Sequence, residues 1–156
     1  MAAADTTTGP HLLMAALCEK VLQEQDGVLS IIRVIDQLTQ TAVGPDAPEH
    51  MPPFIAQNLS MVVAIKADQA RGRYGVRIRP EAPGGIQLPH VEQAVTLSPG
   101  PGGMNLVMPM TFPVSEEGVY WFDVSLTAPT GQPDRLLTRV PLQVQYSPQR
   151  SGPAPP

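Results

Sequence analysis

Proline constrains the fold of this chain more than any other residue. Nineteen of the 156 residues are proline. Each lacks a backbone N–H and clashes with the preceding helical turn, which disfavours long helices. Strands bounded by Pro-rich loops tolerate the same residue at edges and strand starts. Between the prolines, short apolar runs alternate with turn signals, the pattern of an all-β sandwich or barrel. The apolar fraction of 42% belongs to a folded globule. The length fits one domain that can bury a core without metals or disulfides.

Residues 11–22 and 28–38 are apolar runs flanking Asp26-Gly27, a hairpin signal because both residues tolerate positive φ. The second run, from Val28 to Ile35, is rich in stiff β-branched residues. The first is rich in Leu, Met and Ala, which alone favours helix, but the hairpin signal that follows makes it a strand. Pro45, Pro48, Pro52 and Pro53 mark residues 39–53 as a long loop. From Leu59 to Ala67, Leu59, Met61, Val63 and Ile65 alternate with Ser60, Val62, Ala64 and Lys66, which predicts a half-buried strand. Further strands are predicted at Arg73–Arg79, Ile86–Leu97, Asn105–Phe112 and Val119–Leu126, with a last one around Val140–Tyr146. Pro141 in that last strand cannot donate to a ladder, so its nitrogen must face away from a neighbour.

Eight strands without a helix predict a two-sheet, immunoglobulin-like sandwich. Gly118-Val119-Tyr120 resembles the start of the penultimate strand in such sandwiches, where a Tyr bonds back to the preceding corner. The domain is expected to span residues 11–146. Residues 1–10 are expected to be a disordered N-terminal segment, and the Pro-rich residues 147–156 a disordered tail.

The block Ala16-Leu17-Cys18-Glu19-Lys20-Val21, followed by Asp26 to Asp36, resembles the opening of a family of uncharacterised bacterial proteins frequent in actinobacteria. Gly118, Tyr120 and Phe122 resemble that family's closing Gly-x-Tyr-x-Phe strand. The resemblance implies a sandwich fold and a bacterial origin. It carries no activity with it.

Catalytic patterns are sparse. His11, His50 and His90 have no metal-ligand spacing, and no Gly-x-Ser-x-Gly elbow occurs. Cys18 lies within an apolar run, where a thiol behaves as a small hydrophobe. The Gly-rich stretches at 83–85 and 98–103 lack the Lys-Ser/Thr and the helix of a phosphate cradle, and read as plain loops. The carboxylates are scattered and form no calcium loop. No cofactor, metal or catalytic residue is therefore expected, and the protein is not expected to be an enzyme.

The net charge of −4 disfavours a nucleic-acid binder. No apolar stretch reaches the ~20 residues needed to span a bilayer. Leu12 to Cys18 faintly resembles a lipoprotein signal, but no Lys or Arg precedes it, the apolar run is short, and Leu17 is too large for a cleavage site. One cysteine cannot staple a chain, which fits a reducing cytoplasm.

Two features favour contact with a partner. Arg73, Arg77 and Arg79 share the outward face of one predicted strand, suited to an acidic partner or to carboxylates across the sheet. Trp121 is expected to point outward, where Trp is enriched at interface hot spots. Open sheet edges are a third route to a partner chain, with Pro89, Pro109 and Pro141 as candidate edge protection. The leading expectation is a non-enzymatic, cytoplasmic protein-binding or assembly module acting through Trp121, Arg73, Arg77 and Arg79. The alternatives are a structural subunit of a homo-oligomeric particle and a small-ligand or carbohydrate binder.

Overall fold

A computed structural model describes residues 9–128 and 133–150. Among them are nine strands and no helix: β1 (His11–Gln23), β2 (Leu29–Val34), β3 (Gln37–Val43), β4 (Phe54–Asp68), β5 (Gly72–Glu81), β6 (Val91–Leu97), β7 (Gly100–Val114), β8 (Gly118–Thr127) and β9 (Arg135–Gln149). They form a four-stranded sheet, β2-β1-β4-β7, and a five-stranded sheet, β3-β9-β8-β5-β6. Strands β3 and β9 run parallel, and every other pair is antiparallel.

The alternation legible in the sequence sets the core. Leu106, Met108, Met110, Phe112 and Val114 of β7 are buried at every second position, as are Tyr120, Phe122, Val124 and Leu126 of β8. They meet Met61, Val63 and Ile65 of β4, Val76 and Ile78 of β5, and Leu142 and Val144 of β9. Phe112 and Phe122 pack edge to face at 5.1 Å. Each such side chain contributes about 1.5–3 kcal/mol by leaving water.

The Gly118-x-Tyr120-x-Phe122 pattern has a physical reason at each position. Gly118 has φ of 135°, and a Cβ there would fall 2.7 Å from Cγ of Pro83. The Tyr120 hydroxyl donates to the Glu116 carbonyl at 2.9 Å, the backward bond expected of this residue. Phe122 is fully buried.

Several expectations are corrected. The described residues form nine strands where eight were predicted, because residues 39–53 are not all loop: β3 runs to Val43. Thr39 and Thr41 are β-branched, and no proline occurs between Thr39 and Gly44. The predicted strand 28–38 is two strands in different sheets. Arg33 takes φ of 57° near the end of β2, and the chain crosses over at Ile35-Asp36. The tail does not begin at residue 147. Ser147, Pro148 and Gln149 extend β9 against Thr41, Ala42 and Val43, while residues 151–156 lie outside the described residues. Residues 1–8 of the expected N-terminal segment also lie outside them. Pro10, however, is buried, and its carbonyl accepts a bond from Arg135. Gly100–Gly103, read as loop, already belong to β7, and the weak strand at 86–97 is regular only from Val91.

The prolines within strands sit where no donor is needed. Pro141 pairs with Trp121 on one side, and β3 joins the other side of β9 only near Gln143, whose N–H donates to the Asp36 carbonyl. Pro148 lies opposite Ala42 beyond the end of β8, which is paired only as far as Val144. Pro109 and Pro113 lie on the edge strand β7.

Candidate functional site

The sandwich offers two outward faces of different character. On the five-stranded sheet, outward positions of β5, β8 and β9 bring together the residues singled out in the sequence. Arg73, Arg77 and Arg79 alternate along β5, and Trp121 lies one row beyond, opposite Glu81 and Pro141. Carboxylates interleave with the arginines. The Arg77 guanidinium reaches Glu92 Oε2 at 3.3 Å and Asp134 Oδ2 at 3.1 Å. Arg79 donates to Oε1 of Gln87 at 3.4 Å. Arg73 is exposed and has no ion-pair partner among the described residues.

Arg139 was not singled out in the sequence, yet it is the centre of this face. It donates to Asp123 at 2.6 Å and to Glu81 at 2.7 Å, and its guanidinium carbon lies 4.8 Å from the centre of the Trp121 ring. The bond to Asp123 is the largest influence raising the Arg139 pKa above its ordinary value. Trp121 points outward but is half-buried under this cation, a cation–π arrangement. Of the basic stripe of the sequence, Arg77 is neutralised by carboxylates, whereas Glu81 and Asp123 are taken by Arg139.

The outward face of the four-stranded sheet is apolar. Its paired rows run Val34-Cys18-Ser60-Pro109, Ala16-Val62-Val107 and Met14-Ala64-Asn105. Cys18, Val62 and Ala64 are buried yet do not belong to the main core cluster. They lie on β1 and β4, the two inner strands, so neighbours surround them on the sheet surface itself. Around them Met14, Leu22, Ile32, Val34, Ile55 and Val107 are exposed, Val34 at 65%. Lys20 and Lys66 stand at outward positions of β1 and β4. Burial pushes the Cys18 thiol up from its ordinary value, so it is a poor nucleophile.

Sequence reading predicted β4 as half-buried with Val62 and Ala64 on a wetter face, and the structure corrects this. The signal was present: Met61-Val62-Val63-Ala64-Ile65 is a continuous apolar run, the pattern of a strand covered on both faces.

Other chemistry is thin. His11 bonds Asp68 at 3.1 Å, away from His50 and His90. Among the described residues, no group of His, Cys, Asp and Glu could hold a metal ion, and no helix is long and apolar enough to cross a membrane. A cleft of about 360 Å³ at one end of the sandwich is lined by Pro10, Tyr74, Leu126 and Arg135. Trp121 does not line it.

Fold and surface together define an all-β, two-sheet sandwich with one ion-paired and one apolar outward face. The chain belongs to a family of unknown function, DUF6941, which matches residues 13–145. No curated protein sequence matches it. Among solved structures it is similar to the crystal structure of the C-terminal domain of Wzt, at 11% identity and a TM-score of 0.46, over 89% of this chain and 75% of that one.

Proposed function

We propose that the protein is a non-enzymatic protein-binding or assembly module of the bacterial cytoplasm, built on an immunoglobulin-like sandwich. The observation that carries the reading is the apolar outward face of the four-stranded sheet. Exposed Met14, Leu22, Ile32, Val34 and Val107 surround a small buried centre at Cys18 and Val62. Contiguous exposed apolar surface marks contact sites. The partner that fits is a protein surface with an apolar centre and acidic flanks to meet Lys20 and Lys66. The lone free Cys18 supports a reducing compartment, the Tyr120 corner supports the immunoglobulin-like class, and the family resemblance supports a bacterial source.

Trp121 and Arg73, Arg77 and Arg79 form the competing surface. The contacts of Arg77, Arg79 and Trp121 with carboxylates, Gln87 and Arg139 support a role in holding the five-stranded sheet together. Co-purification of the tagged chain from its source cells separates the two surfaces. A stoichiometric partner is expected to be lost with Val34→Glu/Val107→Glu and kept with Trp121→Ala/Arg73→Ala. The opposite pattern moves the site to the five-stranded sheet, and a chain recovered alone overturns the hetero-partner reading.

A further inference from the structure

Among the described residues, the two sheets leave four edge strands: β2 and β7 on one, β3 and β6 on the other. Native edges are usually blunted, because a row of unpaired N–H and C=O groups recruits another strand. Three of these edges are blunted. Strand β7 carries Pro101, Pro109 and Pro113. Strand β6 follows Pro89 and presents Glu92. Strand β2 is distorted by Arg33 at φ of 57°. Strand β3 has no such device. Gln37-Leu38-Thr39-Gln40-Thr41-Ala42-Val43 contains no proline, no glycine, no charge and no positive φ.

The polar groups on its open side can be named. In a parallel ladder the residues of one strand bond to the neighbour alternately. The Asp36 carbonyl accepts from Gln143, and the Gly44 N–H donates to the Gln149 carbonyl. Leu38, Gln40 and Ala42 share that phase and are directed at β9. Gln37, Thr39, Thr41 and Val43 therefore turn their N–H and C=O to the open edge. All four are exposed, Val43 at 79%.

We infer that the open edge of β3 is a self-pairing site, which joins two copies of this chain through an antiparallel β3–β3 ladder about a two-fold axis. The sequence is chemically near-palindromic about Gln40. Antiparallel pairing centred there sets Thr39 against Thr41 of the second copy, Leu38 against Ala42, and Gln37 against Val43. Every open N–H and C=O between Gln37 and Val43 then finds a partner, because the exposed residues meet as hydrogen-bonded pairs. Self-pairing sets a segment against itself, so a charge in it would meet a like charge close by; this strand has none. The two central Thr39–Thr41 pairs are favourable, and Leu38 meets Ala42 as apolar against apolar. The second copy is thus preferred over a foreign peptide by complementarity along the whole strand. The two five-stranded sheets become one continuous sheet. An edge contact of this length falls in the small-interface class below about 1,200 Å², so the dimer is weak and concentration-dependent. It is independent of any partner on the apolar face.

Sedimentation equilibrium of the full chain across a wide concentration range tests the pairing. The mass is expected to rise reversibly from the 16.7 kDa monomer towards the dimer. Thr39→Lys/Thr41→Lys is expected to hold the chain monomeric, and Thr39→Lys/Thr41→Glu to restore dimerisation, because the register sets position 39 against position 41. Both pairs of substitutions lie at exposed positions, and circular dichroism confirms that each variant folds. Amide exchange at Thr39 and Thr41 should slow as concentration rises, while that of Gln40, already directed at β9, does not change. A wild-type chain that stays monomeric at its highest soluble concentration overturns the proposal. So does a dimer that the double Lys variant leaves intact, or one that the Lys/Glu variant fails to restore.

Discussion

On the five-stranded sheet, Trp121 lies beneath the Arg139 guanidinium; on the four-stranded sheet, Val62 lies among Ala16, Val107 and Cys18, with no charge in its row. Both are outward positions on inner strands. One face is held by ion pairs and hydrogen bonds between side chains that water already solvates well, and such pairs are individually weak. The other keeps its central residues dry with apolar neighbours alone. Polar side chains on a sheet can satisfy one another in place, whereas an apolar rim at Ile32, Val34 and Val107 still has surface to lose to a partner.

The largest expected effect tests the dry centre. Val62→Asp places a carboxylate at a fully buried position with no cation in its row, and should cost roughly 3 kcal/mol or more in chemical denaturation. Ser125→Asp, at an outward position of the five-stranded sheet beside Arg77, should leave stability nearly unchanged. Equal losses would erase the distinction between the faces. Cys18 reports on the same centre. Its folded thiol ionises above its ordinary value of 9.0, so the stability it contributes is complete below that pH and is lost as pH rises through it towards the folded value. Thiol reagents should label it only through unfolding, and Cys18→Ala should remove its share of the alkaline loss.

A smaller loss is expected from Tyr120→Phe, which deletes the bond to the Glu116 carbonyl and should cost about 1 kcal/mol by thermal melting. Smaller again is Arg139→Gln. It removes the ties to Asp123 and Glu81 and frees the Trp121 ring, so it should lower Tm slightly, less in high salt, and shift Trp fluorescence towards that of a solvated indole. The smallest is Val34→Ser, within about 0.5 kcal/mol of wild type, which should nonetheless reduce binding of an apolar dye. A dye signal that follows Trp121→Ala instead would exchange the roles of the two faces.

The sequence made the strands with strict alternation legible, β7 and β8 above all, because burial on one face imposes a period of two. It also placed Trp121 and the β5 arginines outward. Two elements escaped it. Strand β3 alternates exposed Gln37, Thr39, Thr41 and Val43 with only partly buried Leu38, Gln40 and Ala42, so no buried apolar face marked it; its existence depends on β9, a partner far along the chain. The Arg139 network escaped because it joins Glu81, Trp121, Asp123 and Arg139 from three strands, and nothing local in the chain announces that they meet. The apolar face was half visible, in the unbroken run from Met61 to Ile65.

The parallel pairing of β3 with β9 also shapes how the molecule comes to be made. Gln37 finds its ladder partner at Gln143, roughly a hundred residues later, and a contact of such span must pay a large loop-closure entropy before it gains anything. On the ribosome, β1, β2 and β4 can assemble as soon as they emerge, but β3 waits for nearly the whole chain. During that interval both of its edges are open, which makes β3 the last strand to be secured and the natural place for a nascent chain to pair wrongly.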